Sequence, residues 1–379
     1  MKRFKWKRGG ALLLMMAAWV LTSFYCKGKQ EMNKTRNSKT KIMQVAATFS
    51  NGSFFIDVDG NVYAAGSSSA YQLGYDEAHA SYLPVKTFTG VKQVVGGDQH
   101  TLILKGDGSL WAVGDNSYGQ LGTGDNNNLK KPAQIATEVM GIAVGRDYSF
   151  YIKQDHSLWA FGRNVFGQLG NGTTETVLSP VKVMEGVAAV SAATAHTLIR
   201  TVDGVLYSCG NNGAYQLGDG TDKNRSLPVK IATGVRQMSA GSQFSMYVTT
   251  DGTLWGVGFD GAGQLGDNDM MTKHHPIKVL TGVRQVSTGQ GHSLVLKEDG
   301  TLWAAGRNDL GQLGSGNYVN SGRFEKVLDG VSSISAGGYH SLAVKSDGSV
   351  WVSGSNGAGQ LAVGRGRSDI SSFEPVALP

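Results

Sequence analysis

From residue 42 onward the chain runs in short segments whose apolar and polar positions alternate, with Gly-containing turns between them. In "HSLVLK" (292–297) Leu294 and Leu296 point to the same side. A period of two predicts half-buried β-strands. Asp299-Gly300 follows, a dipeptide suited to a hairpin turn, and "TLWAAG" (301–306) opens the next strand.

This unit recurs with a fixed step. A glycine closing a "WAxG"-type pattern stands at Gly66, Gly114, Gly162, Gly210, Gly258, Gly306 and Gly354, each 48 residues after the last. Gln72, Gln120, Gln168, Gln216, Gln264, Gln312 and Gln360 keep the same interval, as do Tyr63, Trp111, Trp159, Tyr207, Trp255, Trp303 and Trp351. Seven copies at this period imply a closed or stacked repeat architecture. The sixth copy reads as four strands: "HPIKVL" (275–280), "VRQVST" (283–288), "HSLVLK" and "TLWAAG". Four short antiparallel strands per unit make a propeller blade. The repeat Trp reads as a core residue.

The N-terminal unit lacks a first strand of the "PV" type found at 84, 132, 180, 228 and 276, whereas the chain ends on "FEPVALP" (373–379). This tail reads as the missing strand. The expectation is an all-β, seven-bladed β-propeller over 42–379, its ring closed by the C-terminal strand pairing into the N-terminal blade.

The stretch 282–314, "GVRQVSTGQGHSLVLKEDGTLWAAGRNDLGQLG", resembles the regulator of chromosome condensation repeat, and the resemblance extends over all seven units. It implies the seven-bladed propeller. Nuclear members of that family exchange nucleotide on a small GTPase with a wedge inserted in one blade, and no unit here is long enough for such a wedge. The compact copies are more similar to secreted bacterial members, among them inhibitors that press a loop face onto a β-lactamase.

Charge changes the picture of partners. The formal charge is +6, but eleven basic residues and one acid lie before residue 42, so the body 42–379 is mildly acidic. Nucleic-acid-binding domains carry a basic face, so nucleic acid is not expected as the ligand. The basic start "MKRFKWKRGG" and the apolar run "ALLLMMAAWVL" (11–21) form an export signal. Cys26 follows in "TSFYC", similar to a bacterial lipoprotein signal, although Tyr25 is bulky where that pattern has a small residue. A cleaved secreted form and an uncleaved anchor are the alternatives. Residues 27–41, almost without apolar side chains, read as a polar basic tether. Cys209, the other cysteine, stands where other copies have Val or Phe and reads as a buried thiol.

The glycine-rich stretch Gly306–Gly311 could pass for a phosphate loop, but no Lys-Ser/Thr opens a helix after it and the same loop occurs seven times. It reads as a turn, with Asn308 bonding the backbone and Leu313 anchoring the chain. His100, His196, His292 and His340 share one repeat position and are spread around the ring, so they do not converge on a metal. His274-His275 lack a third ligand in sequence, and "GDGTDKN" (218–224) lacks the spaced carboxylates of a calcium loop. No catalytic motif is present. The expectation is no metal, no cofactor and no catalysis.

Strand alternation places the "TG" and "DG" turns on one face and the remaining loops on the other. The second face is where copies differ. Candidate contact residues there are Asp98, Gln99, Tyr118, Arg146, Asp147, Arg163, Phe166, Gln243, Gln290, Arg307 and Tyr339; Arg and aromatic anchors are what interface hot spots favour. The leading expectation is an exported, monomeric cell-envelope propeller that binds a protein partner without catalysis. A carbohydrate-binding or hydrolytic or lyase propeller using the central channel is the alternative, and nucleotide exchange on a small GTPase stands behind it. For the export reading, Cys26→Ser is expected to abolish metabolic lipid labelling of the protein; undiminished labelling would remove the lipoprotein assignment.

Overall fold

The structure, a computed structural model, describes residues 40–75, 79–364 and 366–379. The segment carrying the export signal, Cys26 and most of the tether lies outside the described residues. Ile42–Ala377 form one compact unit. Among the described residues it contains 28 strands and no helix.

The strands form seven four-stranded antiparallel sheets, each built from four consecutive strands. Blade 1 holds β1–β4 (42–88), blade 2 β5–β8 (91–136) and blade 3 β9–β12 (139–184). Blade 4 holds β13–β16 (187–232), blade 5 β17–β20 (235–280), blade 6 β21–β24 (283–328) and blade 7 β25–β28 (331–376). The first strand of each blade lines the central channel, and the fourth is outermost.

The expected closure is not what forms. The C-terminal strand β28 pairs with β27 of its own blade, Trp351 opposite Pro375 and Gly354 opposite Ile370. The "PV"-type strand is the outer strand of the preceding blade rather than the first strand of its own. The connection after the Trp strand folds back, so that Trp303 lies opposite Lys326. The short two-residue link (Thr281-Gly282, Asp329-Gly330) instead crosses to the next blade, where the amide of Val283 donates to Gly252 O and that of Val331 to Gly300 O (3.0 and 2.9 Å). Among the described residues no strand is therefore orphaned at either end. Blade 7 meets blade 1 across a seam of side-chain and backbone bonds, including Ser53 Oγ to His340 Nε2 (2.9 Å) and the Ala47 amide to Ser335 Oγ (2.9 Å).

The core lies between blades. Phe54, Ile56, Val62 and Leu73 of blade 1 pack on Val94, Ile103 and Val113 of blade 2. Leu294, Leu302 and Leu313 of blade 6 pack on Ile334, Ala343 and Phe373 of blade 7. Sheets stacked face to face bury one another's apolar rows. The repeat Trp, expected inside the core, packs against it from the margin as a partly buried residue. Trp303 is half-buried at its margin, donates from Nε1 to Thr301 Oγ1 (2.8 Å) and carries the Lys297 ammonium 4.3 Å over its ring. An indole with one wet edge and a polar tip fits this rim position.

The shared histidines bond across the seams. His100, His196, His292 and His340 are fully buried. Their Nε2 atoms bond Ser149, Ser245, Ser341 and Ser53 Oγ of the next blade at 2.9–3.0 Å. Ser149, Ser245 and Ser341 in turn donate to the main-chain carbonyls of Gln120, Gln216 and Gln312 (2.8, 2.7 and 2.6 Å). A hydroxyl has one hydrogen, so at these three seams the imidazole Nε2 is the donor. Nδ1 then carries no proton, and it has no partner. A second proton would place an unpaired charge in the core. Burial accordingly lowers these pKa values to about 4 at His100 and His340 and about 3 at His196 and His292.

The sign of the pH dependence follows. The unfolded chain takes up these protons near the unperturbed histidine pKa of about 6.5, while the folded chain resists them until far lower. The stability from neutral histidine is complete above that pH and is lost as pH falls toward 4 and 3. Chemical unfolding measured between pH 7 and 4 is expected to show stability falling by up to about 1.4 kcal/mol per pH unit for each such histidine. His292→Phe, the residue blade 5 carries as Phe244, is expected to flatten that slope; an unchanged slope would contradict the assignment.

Candidate functional site

The loop "GRNDLGQLG" (306–314) closes on itself. Asn308 Oδ1 accepts the Leu313 amide (2.9 Å), and its Nδ2 donates to Asn317 O (2.9 Å). Gln312 Oε1 accepts the Leu310 amide (3.0 Å). Gly306 adopts φ 107°, and a Cβ there would lie 2.5 Å from Gly291 O. Its glycine is thus required by conformation and by close approach. The inward Asn and Gln oxygens take up loop amides that a phosphate cradle would need free. The turn reading accounts for this geometry.

The DG and TG turns share one face, as Val91 N bonding Gly60 O shows (2.9 Å). The variable loops share the other, where Asp115 N bonds Gln99 O (2.8 Å). The assignment of faces survives the new blade boundaries because strand polarity is unchanged. On the variable face the loops after each inner strand are laced together blade to blade. Phe49 N bonds Gly96 O (3.2 Å), Asp98 N bonds Arg146 O (3.1 Å) and Arg146 N bonds Ala193 O (3.0 Å). Thr194 and Ser242 share a hydroxyl bond (3.0 Å), and Gln290 N bonds Gly338 O (3.4 Å). Backbone fixed in this way holds its side chains with little further entropy to lose on binding.

The candidate residues fall into two groups on this face. Around blades 2 and 3, Arg146 pairs with Asp98 (3.4 Å) and Arg163 with Asp147 (3.3 Å). Arg163 also lies over the Tyr118 ring at 5.0 Å. Burial raises the Asp147 pKa, the neighbouring arginines opposing it. Gln99, next to Asp98 in the chain, is exposed, and Phe166, three residues after Arg163, is half-buried. The second group spans blades 5 to 7. Arg307 bonds both carboxylate oxygens of Asp309 (2.7 and 2.5 Å) and lies over the Tyr339 ring at 5.3 Å. This hydrogen-bonded arginine holds the Asp309 pKa below the usual range. An open cavity of about 490 Å³ lies here, lined by Ser242, Gln243, Phe259, Gln290, Arg307 and Asp309. Phe259 is 40% exposed and was not among the sequence candidates. Its signal was an aromatic at the position after the "WAxG" glycine, where Arg163 and Arg307 were noted.

Cys209 is buried, and burial pushes its thiol pKa up to about 12, which suits a packing role. His274 stacks on Tyr215 with ring centroids 3.8 Å apart. The His275 ring lies against Gly220.

One copy of the turn departs from its sisters. Where blades 2, 3, 4, 6 and 7 carry Asn116, Asn164, Asn212, Asn308 and Asn356, blade 5 carries Asp260, fully buried. Its Oδ1 accepts the Leu265 amide (2.7 Å), the bond each asparagine makes, and its Oδ2 has no hydrogen-bond partner. Asp267 and Asp269 stand close, and Lys273 Nζ pairs with both. Burial, with Asp267 beside it, raises the Asp260 pKa to about 7.

The family model "Regulator of chromosome condensation (RCC1) repeat" matches residues 59–104, 107–152, 155–199, 203–248, 251–296 and 299–344. A second model of this repeat matches 91–120, 235–264, 283–312 and 331–360. Similar solved structures include human WBSCR16, with 21% identity and a TM-score of 0.72 over 80% of this chain and 86% of that one. Prp20p from Saccharomyces cerevisiae, described with its binding to Gsp1p and histones, has 20% identity and a TM-score of 0.74 over 85% and 87%. Yeast RCC1 (Prp20) bound to Kap60 has 19% identity and a TM-score of 0.74 over 91% and 86%. At these identities the likeness concerns the fold. No curated protein matches the chain.

Proposed function

The chain belongs to the family of proteins built from the regulator of chromosome condensation (RCC1) repeat, and from that premise we propose that it is an exported cell-envelope propeller that binds a protein partner through its variable loop face, without catalysis. The observation that carries this reading is the second group of loop residues. Arg307, Phe259 and Gln243 border an open cavity, with Tyr339 beneath the Arg307 guanidinium, on loops tied into a rigid ring. Arg and aromatic side chains on a preorganised backbone are the composition of an interface hot spot. The four shared histidines are buried, engaged between blades and held neutral, so they are not available as general bases. Relatives of the same fold are described with protein partners, Kap60 in one case and Gsp1p and histones in another. Those partners belong to those proteins. The export signal in residues 1–26 supports a partner in the envelope or outside it, and the tether 27–41 with Cys26 supports attachment at the membrane.

The variable face is not built for nucleic acid. Its arginines at 146, 163 and 307 are each paired with an aspartate, so they offer directional hydrogen bonding rather than a cationic field. Recognition by such pairs depends on shape and register.

The test is affinity capture from the native envelope with the full chain. The variant Arg146→Ala/Arg307→Ala/Tyr339→Ala is expected to melt within about 1 kcal/mol of wild type, since exposed ion pairs contribute little, and to lose the captured partner. A variant of the opposite face, Asp299→Ala/Lys326→Ala, is expected to retain it. Capture unaffected by the triple variant would contradict the reading. So would sugar-chain turnover that a single substitution in the channel, such as Gln93→Ala, abolishes; that outcome favours the channel enzyme.

A further inference from the structure

The departure in blade 5 carries an inference independent of the proposed partner. In the sister blades the turn asparagine uses both ends of its amide. Its oxygen accepts a loop amide, and its nitrogen donates into the returning loop: Asn116 Nδ2 to Asp125 O (3.0 Å), Asn164 to Thr173 O (3.0 Å), Asn212 to Thr221 O (2.7 Å) and Asn308 to Asn317 O (2.9 Å). Asn212 Nδ2 also donates to Asp219 (2.9 Å), which stands at the repeat position of Asp267. Each sister loop is therefore pinned by a positive hydrogen aimed at oxygens.

Asp260 has no such hydrogen to give. It keeps the oxygen-side bond, to the Leu265 amide, and directs a second oxygen into the space where the amide nitrogen would sit. That oxygen is buried and unpartnered. Carboxylate oxygens of Asp260, Asp267 and Asp269 all lie within 4.8 Å of one another. Oxygens so placed repel unless something positive lies among them. Lys273 supplies one charge, to Asp267 (2.6 Å) and to Asp269, but it makes no bond to Asp260. With all three ionised, three carboxylates and one ammonium leave two negative charges uncompensated beside the buried Asp260, in a cluster whose third member, Asp269, is exposed; for the buried Asp260 carboxylate this is costly.

We propose that Asp260, Asp267 and Asp269 form a site for a hard divalent cation of the size of calcium, which pins the blade 5 loop as the asparagine amide pins the others. The donors are all oxygen, with no sulfur or imidazole among them, which selects calcium-like ions over zinc or copper. A charge of +2 balances the two left over. Three protein carboxylates leave room for water in the coordination shell, and calcium tolerates an irregular shell that magnesium does not. Lys273 competes for two of the ligands, so affinity in the range of extracellular calcium modules, a Kd on the order of 10⁻⁴–10⁻³ M, is expected. The "GDGTDKN" loop of blade 4 has no equivalent gap: Asp219 is bonded by Asn212, Thr221 and Arg225. The proposal departs from the sequence expectation of no metal.

The experiment uses the full chain, stripped with chelator, titrated with CaCl₂ and separately with MgCl₂ at constant ionic strength. Binding is read by calorimetry and the melting temperature by circular dichroism. Calcium is expected to bind at one site per chain in the submillimolar to millimolar range and to raise the melting temperature, with magnesium at least about tenfold weaker. Asp260→Asn restores the residue of five sister blades, so it is expected to fold, to melt independently of calcium and to lose at least about tenfold in calcium affinity. Wild type that shows neither heat nor a melting shift at ~10 mM calcium, a level well above the expected Kd, would overturn the proposal and leave a proton shared between Asp260 and Asp267 as the balancing charge. Undiminished calcium binding by Asp260→Asn would overturn it as well.

Discussion

The structure depends on one bond pattern at the blade seams. A hydroxyl on the second strand of a blade donates to the main-chain carbonyl of the glutamine in the preceding blade's Gln-Leu turn. Ser149, Thr197, Ser245, Ser293 and Ser341 do this to Gln120, Gln168, Gln216, Gln264 and Gln312 at 2.6–2.8 Å. The bond joins two things the protein must keep together, the apolar stacking of sheets and the placement of the loops above them. A buried hydroxyl left unbonded is costly, so at these five seams the bond favours the register that brings the turn carbonyl in reach; at the seam of blades 1 and 2 the equivalent Thr101 Oγ1 has no partner. Histidine completes the bond at several seams, while Tyr148 and Phe244 fill the same space at two others by bonding His196 O or by packing alone.

From this the organisation of the variable face follows. The Asn and Gln of each turn consume the turn's own amides, the seam hydroxyl fixes its glutamine, and the loops after the inner strands bond one another around the channel mouth. Side chains that vary between copies therefore stand on backbone that does not. Arg307 over Tyr339 and Arg163 over Tyr118 are two uses of one frame, and Asp260 is a third, in which the frame's own asparagine is altered.

Much of this could be read from the residues. The fixed interval of glycine, glutamine and tryptophan specified the number of blades, and Asn308 with Gly306 and Gly311 identified a turn where a phosphate loop was conceivable. Ring closure could not be read in the same way. A two-residue Thr-Gly link looks like a hairpin whether it joins strands of one sheet or crosses to the next blade, and only the pairing of Trp303 with Lys326 decides it. The depth of the tryptophans could not be read either, because an indole counts as apolar in a strand pattern; they pack on the core from its margin, and Trp303 lies there beneath a lysine. The acidic site was hidden by the size of its signal. Asp260 differs from its sisters by an oxygen in place of an amide nitrogen, and its partners lie in a loop with no common pattern.

The central claim is that recognition belongs to the variable face. Its most direct test is a photo-crosslinking residue placed in the full chain, at Gln99, Gln243 or Arg307 on that face and at Glu138 or Asp347 on the other, followed by irradiation in intact cells. The account expects a discrete adduct from one or more variable-face positions and none from the opposite turns. Adducts confined to the turns at Glu138 and Asp347, or equal from both faces, would contradict it.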